Sequence, residues 1–390
     1  MHGRTLLSVT SVACLLAACG GSSTPAPPPV PPPPPSPSMV QTPTVINLYP
    51  DLSDGTRLFV FVTAVGSQTF NTPLPLAFDT GSSGITIYAP NAFPSMATAC
   101  SVAAPTGCGF AFPAGQHSIT FDNVTVTDVQ ATRCYGGVTG HAQTGNLGFA
   151  SITFGDAAGT LTTSVMPILF YYKITTNPTN PNQCDDSGAI VNVPPQLGWF
   201  GVNTEADGIV IGGTLETTSS PPCSNGTNTT CLVASALYYI QYANGVDAGF
   251  LLNHQSLQMN CSIDSGTCLP TPMLTVGLTP TQTTGFNSLP LSCSSTPALE
   301  GFPNCNANIA NSGITVSASD GSIPLNYSDA LVLFDSGTPD MILLPPGGLT
   351  LPMTTGTNDI VPNETVLITL SNSYEFSYSS TATEIGRAHV

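Results

Sequence analysis

Phe78-Asp79-Thr80-Gly81-Ser82-Ser83-Gly84-Ile85-Thr86-Ile87-Tyr88-Ala89-Pro90 and Phe334-Asp335-Ser336-Gly337-Thr338-Pro339-Asp340-Met341-Ile342-Leu343-Leu344-Pro345-Pro346 are two copies of one pattern, thirteen residues long. Both read Phe-Asp-hydroxyl-Gly-hydroxyl, then run through apolar residues to a proline. Each follows an apolar strand, Leu74–Ala77 before the first and Leu331–Leu333 before the second. The pattern therefore places each aspartate where a buried strand meets a tight turn. Glycine gives that turn its backbone freedom. The flanking hydroxyls can donate hydrogen bonds to the carboxylate and hold it in place above an apolar floor.

Working outward, the surrounding chain is rich in Thr, Ser, Asn, Gly and β-branched residues. Arg57–Val65, Ser118–Thr127, Ile152–Phe154, Ala236–Tyr242, Gly313–Ala318, Thr365–Leu370 and Tyr374–Tyr378 are short, β-rich and bounded by turn residues. No stretch keeps a helical period. The fold class read from this is all-β. A body starting near Val45 is long for one sandwich, so two lobes of common design are expected. Their ranges are 45–245 for the N-terminal lobe and 246–390 for the C-terminal lobe.

Asp79-Thr80-Gly81-Ser82-Ser83 resembles the signature of the pepsin-like aspartic peptidases, and Asp335-Ser336-Gly337-Thr338 resembles its C-terminal counterpart. The resemblance implies a bilobal acid-protease fold in which the two aspartates meet across a cleft. It further implies a catalytic pair, Asp79 and Asp335. Thr80 and Ser336 would brace the two loops, Gly81 and Gly337 would form their turns, and Ser82 and Thr338 would bond the outer carboxylate oxygens. Two carboxylates that close cannot both ionise easily. The ionised one acts as general base on a water, and its protonated mate bonds the scissile carbonyl.

A second candidate for the C-terminal aspartate stands in Ile263-Asp264-Ser265-Gly266-Thr267. Its separation from the first, 264 − 79 = 185 residues, is nearer to that of a compact pepsin-like chain than 335 − 79 = 256. Gln258–Ser262 before it is not an apolar strand, and Cys261 and Cys268 flank it as if closing a small surface loop. Pattern fit favours Asp335 and keeps Asp264 as the alternative.

Other parts of the resemblance can be placed on the first lobe. Thr144–Phe149 with Ile152–Gly155 resembles the strand returning from the flap hairpin, which makes Tyr135 the candidate flap tyrosine; a turn tyrosine beside Cys134 is the plainer reading. Asp207–Gly213 resembles the apolar-apolar-Gly segment that completes the loop under the first aspartate. Gly249–Asn253 would lie near the strand that links the lobes. The chain has Gly84-Ile85-Thr86 where the family has an Asn-Leu-Trp type of sequence, which removes the usual partner of the flap tyrosine from that loop. Pro339-Asp340 adds a carboxylate close to the second aspartate. Only 390 − 335 = 55 residues follow Asp335, without a second apolar-apolar-Gly segment. The C-terminal lobe is thus expected to be incomplete, with Thr383–Val390 foreign to it and the native reading frame continuing elsewhere.

Residues 1–18 read as a lipoprotein signal peptide: a positive start at Arg4, an apolar core too short to span a membrane, and Leu16-Ala17-Ala18 before Cys19. That ending resembles the bacterial lipobox and implies lipidation at Cys19; an ordinary secretory signal is the alternative. Residues 19–44 form a linker whose prolines, Pro25–Pro37, favour an extended stalk. Ten further cysteines after Cys19 and Cys14 suit an oxidising compartment, pairing as near neighbours: Cys100 with Cys108, Cys223 with Cys231, Cys261 with Cys268, Cys293 with Cys305, and Cys134 with Cys184. Their spacing is not that of zinc ligands, so neither metal nor cofactor is called for. A net charge of −17 with a single lysine excludes nucleic acid as a partner. The expected partners are a peptide or protein substrate and the membrane, the latter through the lipid, at the bacterial cell envelope and as a monomer. Two functions compete with an acid-acting endopeptidase: a non-catalytic binding protein on the same scaffold, and a β-rich adhesin.

Overall fold

The computed structural model describes residues 33, 35–51, 57–135, 141–176, 188–191, 197–203, 207–211, 231–253, 263, 266–286, 292–293, 305–306, 309–317, 325–332, 336, 365–370 and 375–379. The chain divides into two compact units, 1–31 and 32–390, and every described residue belongs to the second. The structure is all-β: strands dominate, and the only α-helical pieces among the described residues are the single turns Ala89–Ala92 and Pro280–Thr283.

The strands used below are β1 (Thr44–Asp51), β2 (Arg57–Val65), β3 (Gln68–Asp79), β4 (Ser83–Tyr88), β5 (Val124–Tyr135), β6 (His141–Ala150), β7 (Met166–Thr176), β8 (Gly198–Val202), β9 (Asp207–Ile211), β10 (Asp247–Leu252) and β11 (Thr271–Leu278). With Cys231–Val233 at one edge they follow the order β9-β5-β6-β7-β4-β8-β3-β2-β1-β11-β10 in one mixed sheet. Most neighbours are antiparallel; β7 with β4, and β8 with β3, are parallel. A separate four-stranded sheet joins Leu325–Val332, Ile309–Ser317, Thr365–Thr369 and Glu375–Ser379 in that order, all antiparallel.

Alternation decides which side chains enter the core. In β3 the first half faces outward in part, whereas its last four residues, Leu76 to Asp79, are all buried. Leu76 and Phe78 point into the main core with Ile85, Ile87, Phe154, Ile168, Phe170 and Phe200, most of them with no exposed surface. Burying each such side chain stabilises the fold by about 1.5–3 kcal/mol. Phe78 packs edge-on against Phe250 at 5.9 Å between centroids and stacks with Phe200 at 6.3 Å.

Two expected strands differ in the structure. Ser118–Thr127 is a hairpin rather than one strand: Ser118–Phe121 turns into β5 at Asp122 and Asn123, both at positive φ (46° and 59°). Asp and Asn tolerate that conformation best, and consecutive positive φ angles mark the two-residue hairpin turn. Ala236–Tyr242 begins as a 3₁₀ turn over Ala236–Tyr239 and only Gln241–Tyr242 is extended. Ser235 starts the turn by accepting the Leu237 N–H at its side-chain oxygen, a local bond that alternation of apolar residues does not reveal.

The body also takes hold of the chain before the boundary expected at 45. The Ser38 N–H donates to the Thr162 carbonyl at 2.7 Å, and Met39–Val40 pairs with Gln241–Tyr242. At the other boundary, β10 and β11 extend the sheet of the N-terminal half through pairing of β11 with β1. Cys100 and Cys108 are disulfide-bonded to each other. Cys134, Cys268 and Cys305 are disulfide-bonded as well. Each of the other expected pairings has a member whose side chain lies outside the described residues.

Candidate active site

Asp79 ends β3 and is 4% exposed. Its carboxylate is held by its own turn: the Gly81 N–H donates to Oδ1 at 2.8 Å, and the Ser82 hydroxyl donates to Oδ2. Two donors on one carboxylate fix its orientation.

Strand β8 runs between the two arms of this loop. It lies parallel to β3, with Trp199 beside Ala77, Phe200 beside Phe78 and Gly201 beside Asp79. On its other edge it is antiparallel to β4, with Gly201 opposite Gly84 and Trp199 opposite Thr86. The apolar-apolar-Gly segment under the first aspartate is therefore Trp199-Phe200-Gly201. This corrects the expectation for Asp207–Gly213, of which Asp207–Ile211 is β9, paired with Cys231–Val233 and with β5. Both stretches fit the pattern, but it is Gly201 that stands against the Asp79 turn, where the chain has no room: a Cβ there would lie 2.6 Å from the Ser82 carbonyl oxygen and 2.7 Å from the Ser83 carbonyl carbon. Asn203 then straps the loop from outside. Its N–H donates to Ser82 O at 2.9 Å, its side-chain amide to Gly81 O at 3.1 Å, and its carbonyl accepts the Ser83 hydroxyl at 2.8 Å.

The departure at Gly84-Ile85-Thr86 has a local cause. Gly84 has φ +78°, and a Cβ there would stand 2.7 Å from the Val233 side chain. Thr86, fully buried, accepts the Trp199 N–H at its hydroxyl oxygen, 3.1 Å away.

The two copies of the repeat touch. The Ser336 N–H donates to Thr80 Oγ1 at 2.9 Å, and the Thr80 N–H donates to Ser336 Oγ at 3.1 Å. The Ser336 hydroxyl in turn donates to the Phe78 carbonyl at 2.9 Å. Three hydrogen bonds thus join residues 256 to 258 positions apart in the chain. Asp335, Gly337 and Thr338 lie outside the described residues, as do Asp264 and Cys19.

No protein family matches the chain, and no curated protein matches it. Among solved structures it is similar to the basic 7S globulin from soybean, with a TM-score of 0.39 and 13% identity, over 89% of this chain and 86% of that one.

The residue before Asp264 has a different setting from Phe78. Ile263 is 9% exposed and packs in a small cluster with Phe59, Ala77 and Trp199. Its N–H donates to the buried Asp51 carboxylate at 2.7 Å.

Tyr135 closes β5 opposite His141, at the end of the β5–β6 hairpin where the two strands are joined. Its ring stacks on Trp199, 4.5 Å between centroids at 20°. The indole that the Gly84-Ile85-Thr86 loop does not supply comes from Trp199, on the strand paired with that loop. Trp199 and Asn203 are the site residues that the sequence reading missed. The signal was present in Trp199-Phe200-Gly201-Val202-Asn203, whose glycine follows two bulky apolar residues, but Ile209-Val210-Ile211-Gly212 matched the same pattern with better strand formers. Among the described residues no group of three His, Cys, Asp or Glu side chains stands together to hold a metal.

Proposed function

We propose that this chain is an acid-acting aspartic endopeptidase of pepsin-like, two-lobed design, with Asp79 and Asp335 as its catalytic pair. The observation that carries the reading is the reciprocal bonding of Thr80 and Ser336. Each follows an aspartate in one copy of the repeat, and each binds the backbone of the other. Such a pairing supports a reading in which the two carboxylate-bearing turns lie side by side, the arrangement that lets two acids share one proton. The ionised carboxylate then removes a proton from water as that water attacks the peptide carbonyl. The protonated partner donates to the carbonyl oxygen, and a proton passes to the departing amine. Ser82 and the Gly81 N–H keep the Asp79 carboxylate oriented for either part.

Tyr135 is the flap residue in this proposal, and the substrate is an extended peptide. Export, lipidation at Cys19 and residence at the bacterial cell envelope belong to the same reading, as does a monomeric state. The test is cleavage of denatured protein by the purified chain between about pH 3 and pH 7. Activity that rises in acid, is blocked by a statine-type inhibitor and falls at least about a thousandfold in Asp79→Asn is the expected result. A folded chain that binds the inhibitor but cleaves nothing at any pH would make it a binding protein on this scaffold.

A further inference from the structure

Trp199 is the sole tryptophan of the chain. It sits beside Ala77, two residues before Asp79 on the same strand. Side chains two apart on a strand share a face, roughly 6.6 Å apart along it. Ala77, Asp79 and Trp199 therefore share one buried face, whereas Phe78 and Phe200 fill the main core on the other. The indole, 8% exposed, belongs to a cluster with Phe59, Ala77 and Ile263 and carries the Tyr135 ring in stacked contact. Two of the chain's five basic residues gather here: the Arg57 guanidinium lies 5.4 Å from the indole centroid, and that of Arg133 lies 5.3 Å from the Tyr135 ring. Stacked rings and guanidinium groups over ring faces each add attraction beyond simple burial. In a chain so poor in cations, this marks the ring pair as a built junction between the hairpin and the Asp79 strand.

We propose that Trp199 is a positioning residue for substrate: it holds Tyr135, and with it the Tyr135–His141 end of the β5–β6 hairpin, at the height of the Asp79 turn, so that a bound peptide is gripped beside the aspartate. The assignment of a peptide as ligand rests on the peptidase reading above; the mechanical role of Trp199 does not. Loss of the indole loosens the grip in the ground state and the transition state alike. It therefore raises KM and inhibitor Kd and changes kcat little.

The experiment measures binding and turnover separately on the full chain. Anisotropy of a fluorescein-labelled statine hexapeptide gives Kd for the wild type, Trp199→Leu, Trp199→Phe and Tyr135→Leu. Steady-state cleavage of the parent peptide gives KM and kcat. Emission of Trp199 in Asp79→Asn is followed during titration with the unlabelled peptide. Expected are a Kd raised about tenfold in Trp199→Leu and in Tyr135→Leu, recovery to within about threefold in Trp199→Phe, and a saturable shift of Trp199 emission. If Trp199→Leu melts at a lower temperature but keeps the wild-type Kd and KM, the residue only packs and the proposal is overturned. Cleavage by the wild type without any emission change in Asp79→Asn overturns it too. Saturable emission change without cleavage by the wild type supports Trp199 and refutes the peptidase reading alone.

Discussion

Thr80 and Ser336 each set a side-chain oxygen against the other's backbone N–H, and the Ser336 hydroxyl donates to the Phe78 carbonyl besides. Thr80 Oγ1 accepts from a backbone N–H of the distant copy, while its own N–H is taken up by the Ser336 hydroxyl oxygen. Replacing Thr80 by Val keeps the volume and removes the acceptor, leaving the Ser336 N–H without it. The expected cost is about 1–3 kcal/mol in urea unfolding, with activity reduced in parallel; Thr80→Ser, which keeps the oxygen, stays near wild type. At this scale the sequence was informative. Ser82, three residues after Asp79, bonds that carboxylate, and the hydroxyls of Thr80 and Ser336 bond the backbone of the other copy. Trp199 was not legible, because nothing local tells an indole at a strand position that it will face Tyr135, 64 residues earlier by 199 − 135.

Among the elements, β8 is the one on which the site depends most, since it fills the gap between β3 and β4. Gly201 permits this approach, and the atoms in its way are backbone rather than flexible side chain. Gly201→Ala is therefore expected to push the Ser82–Ser83 backbone aside, lowering the melting temperature and disordering the Asp79 turn; an unchanged melting curve together with unchanged catalysis would contradict the placement of β8. The strand Arg57–Val65 was legible to the residue, because a run of β-branched and aromatic side chains closed by a glycine suits a buried strand. The partner strand of the Asp79 loop was not. Its identity depends on which of two similar segments can bring a glycine within van der Waals distance of Ser82, a tertiary fact.

For the whole molecule, stability depends on pH through carboxylates that the fold holds below their ordinary pKa, and Asp156 is one of them. Burial alone would raise its pKa, but hydrogen bonds from Tyr49, Asn47 and the Ala158 N–H outweigh it and hold the carboxyl below its ordinary value of 3.8. A folded pKa below the unfolded one contributes stability that is complete above pH 3.8 and is lost as pH falls from there through the folded value. Asp156→Asn should consequently unfold at lower urea than wild type at about pH 6, with the gap closing towards about pH 2. A gap of the same size at both pH values would show that the carboxylate's charge is not what stabilises this corner. All-β character was readable from composition. The continuity of one sheet through β1, β11 and β10 was not, because strand order depends on pairing between segments far apart in sequence.

In the proposed catalytic pair the second carboxylate comes from the copy whose serine grips Thr80. The most direct measurement compares cleavage rates of Asp335→Asn and Asp264→Asn with wild type at the acid optimum, each protein checked for folding by its melting curve. Loss of at least about a thousandfold in Asp335→Asn, with Asp264→Asn within about threefold of wild type, is the predicted result. Full activity in Asp335→Asn, or collapse in Asp264→Asn alone, would contradict it.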